Sequence, residues 1–199
     1  MSLGTGVDPR LLRREALLDA ADQVVQRDGA AASMASIAAE AGITKPILYR
    51  HFGDKSGLYA ALAERHTDRL LAALQAALSR GRTRRERFAL TVDTYLATIE
   101  AEPQVYRFLV RPLEAAPVSG QVRSFLARLA SVLAEGIGAE LHVPDGDVAG
   151  QLRAQVWAHA VVGMVQAGGD WWLEQRACPR AVLTAELTEL AWGGFAAER

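Results

Sequence analysis

Apolar residues recur at spacings of three and four positions along most of the chain, which is the pattern of helices that bury one face. The first stripe follows Asp8 and Pro9, a favoured pair for capping and starting a helix, and Gly29 is placed to end it. The stripe consists of Leu12, Ala16, Leu17, Ala20 and Val24. The same pattern continues towards the C-terminus and predicts an all-α fold of about nine helices.

Two short helical patterns meet at a glycine within residues 33–55, which read SMASIAAEAGITKPILYRHFGDK. Ile37, Ala38 and Ala41 form the apolar stripe of the first helix. Gly42 can supply a sharp turn because a residue without a Cβ adopts positive φ at little cost. Thr44 is expected to cap the second helix, with Pro46 in its first turn. This arrangement is typical of a helix-turn-helix.

The second of these helices has two different faces at about 100° per residue. Leu48 and Phe52 are expected to point inward, with Tyr49 at the edge of that stripe. The opposite face is expected to expose Pro46, Ile47 and Arg50, flanked by Lys45 and His51. In a major groove, Ile47 could contact a thymine methyl while Arg50 or Lys45 meets guanine acceptors. A helical hairpin without a nucleic-acid role is the alternative, but it gives these residues no reason to share an outer face.

The segment SIAAEAGITKPILYRHFGDKSGLY resembles the DNA-binding segment of the TetR family of bacterial transcriptional regulators, and the resemblance covers roughly residues 9–62. It implies groove contacts from Thr44, Lys45, Pro46 and Ile47. It implies phosphate contacts from Ser33, Tyr49, His51 and Lys55. Ala35 stands where some members carry an arginine that reads a base, so that contact is predicted to be missing.

The overall charge does not point to a nucleic-acid-binding protein, because 22 basic and 23 acidic residues give a net charge of −1. The local charge does, since residues 43–52 contain Lys45, Arg50 and His51 and no acid. We therefore expect phosphate binding to be local and assisted by dimerisation rather than spread over a broad basic surface.

A long helix is predicted to follow Asp54, its N-cap, and to end before Gly81. At about 25 residues it would span roughly 37 Å, enough to link two domains. The predicted division is a helix-turn-helix domain at residues 8–55, a linking helix at 56–80 and a regulatory and dimerisation domain at 81–199. The arginines of residues 81–87 (GRTRRER) are interpreted as a solvated run.

Helices are also predicted throughout the second half of the chain. Pro103 separates two of them, and the next is expected to end near Gly136. A long helix from Asp147 is predicted to break at Gly168 and Gly169. Pro179 is expected to open the last helix.

The last two long helices carry apolar residues on more than one face, which indicates burial on more than one side. Pairing them with their copies across a two-fold axis would give a four-helix dimer interface. The predicted interface residues are Val161, Val165, Leu183, Leu187, Leu190 and Phe195. The alternative is a monomer with a thick core.

Aromatic and sulfur-containing side chains are concentrated in the same half, as in many ligand pockets. The predicted pocket residues are Tyr95, Arg107, Phe108, Phe125, Trp157, His159 and Met164. Tyr95, Arg107 and His159 would be the polar anchors for a hydrophobic or aromatic small molecule. Ordinary core packing is the alternative for each, and Trp171 and Trp172 are expected near the dimer surface.

An enzyme is not expected, because the histidines His51, His66, His142 and His159 are scattered without catalytic or metal-ligand spacing. The single cysteine, Cys178, excludes an internal disulfide, and no cofactor or metal is predicted. No signal peptide or membrane span is apparent, so a cytoplasmic protein without membrane attachment is expected.

The predicted function is a ligand-responsive, homodimeric transcriptional regulator, most simply a repressor of a palindromic double-stranded DNA operator that a small hydrophobic effector releases. A helical sensor that does not bind DNA is the alternative, and Lys45 and Arg50 on the outer face argue against it.

Overall fold

The computed structural model describes residues 9–110 and 118–196, and these contain helices, turns and connections but no strand. The helices are α1 (Pro9–Asp28), α2 (Met34–Glu40), α3 (Lys45–Phe52), α4 (Lys55–Arg80), α5 (Arg84–Ala101), α6 (Pro103–Val110), α7 (Val118–Glu140), α8 (Val148–Gln175) and α9 (Arg180–Ala196), with a short 3-10 helix at Gly29–Ala31. The prediction of an all-α fold is confirmed.

The described residues fall into two compact units. Unit 1 contains the described residues up to His66 and those between Glu102 and Val122, and unit 2 contains Thr67–Ala101 and the described residues from Arg123 onward. The N-terminal part of α4 therefore belongs to unit 1 and the remainder to unit 2. Helix α6, which lies within the predicted regulatory domain at 81–199, packs on α1 in unit 1.

The core of unit 1 is built from α1, α2, α3, the start of α4 and one residue of α6. Its most deeply buried side chains include Leu17, Val24, Ile37, Leu48 and Leu62. The predicted stripe of α1 starts too early, because Leu12 is 57% exposed and the first turns of the helix extend beyond the core. Leu18 and Val25, which the predicted stripe did not include, are buried.

Gly168 and Gly169 do not break α8, contrary to the prediction. A Cβ on Gly169 would lie 3.0 Å from Ile99 Cδ1 and 3.2 Å from Tyr95 Cε1, both on α5. A Cβ on Gly168 would lie 3.2 Å from Leu187 Cδ2 on α9. The two glycines therefore allow neighbouring helices to approach α8 closely. Helix α7 likewise continues past Gly136 instead of ending before it.

The arginines of residues 81–87 are partly engaged in ion pairs within unit 2. Arg84 Nε lies 2.5 Å from Glu140 Oε2, and Arg87 Nη2 lies 3.3 Å from Glu140 Oε1. Arg85 pairs with Glu189 of α9. Partly exposed pairs of this kind contribute little each, but they tie α5 to α7 and α9.

A second set of ion pairs lies where α5 meets the junction of α8 and α9. Arg180 donates to Asp93 at 2.9 Å and to Glu100 at 2.7 Å, and Arg176 donates to Glu100 at 3.2 Å. The hydrogen bond to Asp93, followed by the one to Glu100, raises the pKa of Arg180 above its ordinary value. The Arg180 guanidinium is therefore held more firmly in its charged form.

The described residues contain neither a membrane-spanning helix nor a cluster of metal-binding side chains. None of the helices has a stretch that is both long enough and apolar enough to cross a membrane. In the same residues, no group of three or more histidine, cysteine, aspartate or glutamate side chains could hold a metal ion.

Candidate nucleic-acid interface

The start of α2 is fixed by a reciprocal cap between two serines. The backbone N–H of Ser36 donates to Ser33 Oγ at 3.1 Å, and the backbone N–H of Ser33 donates to Ser36 Oγ at 3.0 Å. This is a capping box in which a serine replaces the usual glutamate or glutamine. Ser33 is half-buried in this cap, and its Oγ also lies 3.0 Å from Ser36 Oγ, so the two hydroxyls are hydrogen-bonded to each other.

The turn between α2 and α3 depends on Gly42, which has φ of +64°. The N–H of Ile43 donates to the Ala38 carbonyl at 2.9 Å, so the carbonyls at the end of α2 find partners within the turn. The angle between α2 and α3 therefore follows from local contacts, and the predicted helix-turn-helix is confirmed in position.

Thr44 occupies the N-cap position of α3 with an extended backbone, but its side chain makes no capping hydrogen bond. Pro46 has no N–H to offer, and the N–H of Ile47 donates to the Thr44 carbonyl at 3.0 Å instead. Thr44 is therefore the N-cap residue, as predicted, but without the side-chain hydrogen bond that usually accompanies this position. The exposed hydroxyl is left for a partner outside the chain.

Two buried side chains hold α3 against unit 1: Leu48 is fully buried and Phe52 is 8% exposed, as predicted. Ile47 is half-buried rather than exposed, so only part of its side chain could reach a base. His51 is also half-buried. The predicted contact residues that remain exposed are Thr44, Lys45, Pro46, Tyr49, Arg50 and Lys55, and Gly53 and Asp54 are exposed between α3 and Lys55.

Lys45 and Arg50 have no carboxylate partner among the described residues, in contrast to Arg27, which pairs with Asp28 and Glu40. Because α3 contains no acid, its cations are not neutralised within the helix. Arg50 and His51 are basic residues in the last turn of α3, where the helix dipole stabilises positive charge. The outer face of α3 therefore offers positive charge to an anionic partner.

Two further cations lie close to this helix and stack on aromatic rings. The guanidinium of Arg14 is 5.1 Å from the centre of the Phe52 ring, and the ammonium of Lys55 is 5.1 Å from the centre of the Tyr59 ring. The Tyr59 hydroxyl donates to the Ala32 carbonyl at 3.0 Å, which anchors α4 to the segment before α2. The contact of Arg14 with Phe52 joins residues too far apart in sequence for periodicity to predict.

The predicted ligand-pocket residues are divided between the two units. Arg107 lies in unit 1, whereas Tyr95, Trp157, His159 and Met164 lie in unit 2. Tyr95 is buried at 6% exposure beside Gly169. His159 is exposed with Nδ1 2.8 Å from the Gln155 carbonyl of its own helix, so it is not a buried polar anchor. The side chains of Phe108 and Phe125 lie outside the described residues.

The predicted interface residues also differ in exposure. Leu183 and Leu187 are buried within the protomer at 6% and 7% exposure, so they have little surface left for a partner, and Val161 and Val165 are partly buried. Leu190 is 64% exposed. The side chain of Phe195 lies outside the described residues. The apolar residues that α8 and α9 expose are Val148, Leu152, Val156, Trp171, Val182 and Leu190.

The two tryptophans near the end of α8 have different environments. Trp172 is 1% exposed, and its indole N–H donates to the Cys178 carbonyl at 2.7 Å, so it is a core residue of unit 2. Trp171 is 50% exposed. The expectation of a surface position therefore fails for Trp172, because its indole packs inward and closes the turn between α8 and α9.

Family models match both halves of the chain. Residues 17–62 match the N-terminal model of the bacterial regulatory proteins of the tetR family, and residues 73–199 match the tetracyclin repressor-like C-terminal domain. The chain is 31% identical over 195 residues to the HTH-type transcriptional activator FasR of Mycolicibacterium smegmatis, covering 94% of this chain and 84% of FasR. It is also 31% identical over 190 residues to an uncharacterised HTH-type transcriptional regulator of Mycobacterium tuberculosis, covering 92% of this chain and 77% of that protein.

Solved structures agree with this assignment. A TetR-like regulator from Rhodococcus sp. RHA1 superposes with a TM-score of 0.70 at 28% identity, covering 96% of this chain and 99% of that one. FadR from Bacillus subtilis in complex with stearoyl-CoA has the same fold, with a TM-score of 0.67 at 18% identity and coverage of 89% and 96%. The fold and the α3 face define a helix-turn-helix DNA-binding protein. The chain belongs to the TetR family of transcriptional regulators.

Proposed function

We propose that this protein is a cytoplasmic, homodimeric regulator that binds a palindromic operator with α3 and releases it when a small hydrophobic effector binds. The observation that carries the proposal is the outer face of α3, where Lys45 and Arg50 are exposed without carboxylate partners among the described residues. Leu48 and Phe52 hold the opposite face in the core. A helix anchored in this way can present a fixed set of side chains to a major groove.

The contacts are assigned by chemistry. Lys45 and Arg50 donate to guanine acceptors, while Thr44, Pro46 and the exposed part of Ile47 contact base edges and thymine methyl groups. Ser33, Tyr49, His51 and Lys55 donate to phosphates and fix the position of the helix on the duplex. Lys55 is suited to a phosphate because it lies in the first turn of α4, where the helix dipole favours an anion.

The second copy required by a palindrome would pair through α8 and α9. Leu152 and Val156 lie one turn apart on α8, and Val182 and Leu190 lie two turns apart on α9. All four are exposed in the single chain, at 59%, 56%, 46% and 64%. Large exposed apolar side chains are common in isologous interfaces. A palindrome whose half-sites lie one turn of DNA apart requires recognition helices roughly 34–36 Å apart in the dimer.

The effector is proposed to bind unit 2 and to favour a conformer whose recognition helices are wrongly spaced for the operator. The two binding events then oppose each other reciprocally, typically by about 1–3 kcal/mol. FadR from Bacillus subtilis is a structural neighbour in complex with stearoyl-CoA, so a long-chain acyl-CoA is the first effector to try.

Repression is proposed as the sign of regulation, because a dimer bound across a promoter blocks polymerase without any further contact. FasR is named an activator, so the sign needs its own test. In vitro transcription from a promoter that contains the operator should decrease as the protein is added, and an increase would replace repression by activation.

Selection of genomic fragments that the protein retains tests the proposal as a whole. We expect recovered fragments to share a palindrome whose half-sites lie about one helical turn apart. Fragments without a common motif would contradict operator recognition and favour a sensor that does not bind DNA.

A further inference from the structure

Gly57 lies in the first turn of α4, shortly after α3 ends at Phe52. A Cβ at Gly57 would lie 2.0 Å from the Phe52 carbonyl oxygen and 3.2 Å from the Phe52 carbonyl carbon. Even a close contact between a carbon and an oxygen is about 3.3 Å long, so a side chain at position 57 would overlap the end of α3. Both atoms belong to the backbone, so no change of rotamer can relieve the overlap.

The glycine is needed here for space and not for its backbone conformation. Gly42 and Gly53 have φ of +64° and +79°, values that favour glycine, whereas Gly57 does not have a positive φ. Gly57 is an ordinary helical residue, and alanine is the better helix former at such a position. The close approach of α3 to α4 is therefore the feature that requires a glycine.

Asp54 holds the two helices together through two hydrogen bonds. Its backbone N–H donates to the Phe52 carbonyl at 3.0 Å, and its Oδ1 accepts from the Gly57 N–H at 2.7 Å. The Gly53 N–H donates to the Tyr49 carbonyl at 2.7 Å, which closes the last turn of α3. The end of α3 and the first turn of α4 are therefore held by the same residue, and they cannot separate without stretching one of its hydrogen bonds.

The start of α4 is anchored more firmly than α3. Leu58, Tyr59 and Leu62 are at most 1% exposed, and the Tyr59 hydroxyl adds a buried hydrogen bond. Helix α3 has only eight residues, and its buried side chains are Leu48 and Phe52. An added side chain between the two helices would therefore displace α3, while the start of α4 stays in the core of unit 1.

The position of α3 decides which hydrogen bonds its side chains can form with base edges. Fitting a Cβ between the helices requires the contact to lengthen by more than about 1 Å. Hydrogen bonds have donor–acceptor distances of about 2.7–3.2 Å, so a displacement of this size takes base contacts out of range. A phosphate contact from lysine tolerates the displacement better, because its ammonium is a compact charge on a flexible stem.

We propose that Gly57 is a positioning residue for DNA recognition: the absence of a side chain there lets α3 lie at the distance from α4 at which its side chains read the operator. This role rests on the proposed function of α3. A side chain at position 57 leaves unit 1 folded but displaces α3. Discrimination between the operator and other DNA therefore falls more than affinity for DNA in general.

Gly57→Ala adds one methyl group and tests this role by fluorescence anisotropy with the selected operator and a scrambled duplex. Operator affinity should fall about 5- to 150-fold, the effect of losing one bidentate base contact. Affinity for the scrambled duplex should stay within about twofold of wild type, because phosphate contacts carry no sequence information. An equal loss on both duplexes is the result expected of a protein that is merely less folded, and it would overturn the proposal, as would an unchanged operator affinity.

The matched control is Gly136→Ala. Gly136 also lies within a helix, and a Cβ there would meet nothing within 4 Å. This variant should bind both duplexes as wild type does. A control that loses discrimination as Gly57→Ala does would attribute the effect to the loss of any helical glycine and overturn the proposal.

Amide NMR spectra of the free protein test the displacement without DNA. In Gly57→Ala, the signals of Lys45 and Ile47 in the first turn of α3 should shift, whereas those of Val24 and Val25 in α1 should stay in place. Unmoved α3 signals, or loss of the folded spectrum as a whole, would overturn the proposal. Wild type without a preference for the operator counts against the proposed function, whereas unmoved α3 signals count against the role of Gly57.

Discussion

Gly169 on α8 lies so close to Ile99 on α5 that a Cβ at this glycine would come within 3.0 Å of Ile99 Cδ1. Tyr95 Cε1 would be 3.2 Å away and Leu96 Cδ2 3.4 Å away. This contact determines how closely α5 packs on α8. Unit 2 therefore has no space for a larger side chain at position 169. The glycine costs some helix propensity, which the close packing offsets.

Gly169→Val should therefore destabilise the protein through overpacking, by about 1–3 kcal/mol. Gly136→Val is the matched control, because Gly136 is also within a helix and has nothing within 4 Å of a built Cβ. Urea unfolding of both variants measures the difference. A Gly169→Val variant as stable as Gly136→Val would show that α5 and α8 are not held at this distance.

Removal of the buried Tyr59 hydroxyl should weaken unit 1. Tyr59→Phe leaves the Ala32 carbonyl without its 3.0 Å donor, and the expected loss is about 1–3 kcal/mol of unfolding free energy. Tyr49→Phe, at a position 42% exposed, should change stability by less than about 0.5 kcal/mol. Identical urea midpoints for the two variants would mean that the Tyr59 hydrogen bond is not formed in solution.

Substitutions at the proposed phosphate contacts should differ in their salt dependence. Lys55→Ala removes a cation, so the slope of log affinity against log salt should become shallower by about 1. Tyr49→Ala removes a neutral donor and should lower affinity with the slope unchanged. Affinity measured at several salt concentrations distinguishes the two, and an unaltered slope in Lys55→Ala would remove Lys55 from the phosphate contacts.

The proposed dimer should be sensitive to charge on the exposed stripe of α9. Leu190→Glu places two buried charges at a two-fold interface and should shift the protein towards monomer in sedimentation experiments. Val132→Glu on α7, at 42% exposure, changes charge equally and should leave the oligomeric state as in wild type. Two variants with the same sedimentation profile would place the interface elsewhere.

The features that the sequence predicted well depend on neighbouring residues. Gly42 marks the turn, and Leu48 and Phe52 mark the inward face of α3, because positive φ and helical periodicity are local properties. The sequence also predicted Asp54 as the cap of α4, and its Oδ1 accepts from the Gly57 N–H at 2.7 Å.

The features that it missed depend on contacts between distant segments. A glycine pair at 168–169 favours a helix break when read locally, and only the presence of Ile99 and Leu187 explains why the helix continues. His66 and Asp22 are 44 positions apart, so their contact has no periodic pattern. A single indication was available: Asp22 lies among the apolar inward positions of α1, where an unpaired carboxylate would be costly.

The most direct test of the central claim is the affinity of the protein for its selected operator, compared with a scrambled duplex, by fluorescence anisotropy. Arg50→Ala should weaken operator binding by about 5- to 150-fold, since a bidentate base contact contributes about 1–3 kcal/mol. Arg128→Ala is the control, because it removes the same charge from an exposed arginine of unit 2 that lies 3.8 Å from Asp68. This variant should bind the operator as tightly as wild type does. If Arg50→Ala and Arg128→Ala bind the operator equally, α3 does not read DNA and the account is contradicted.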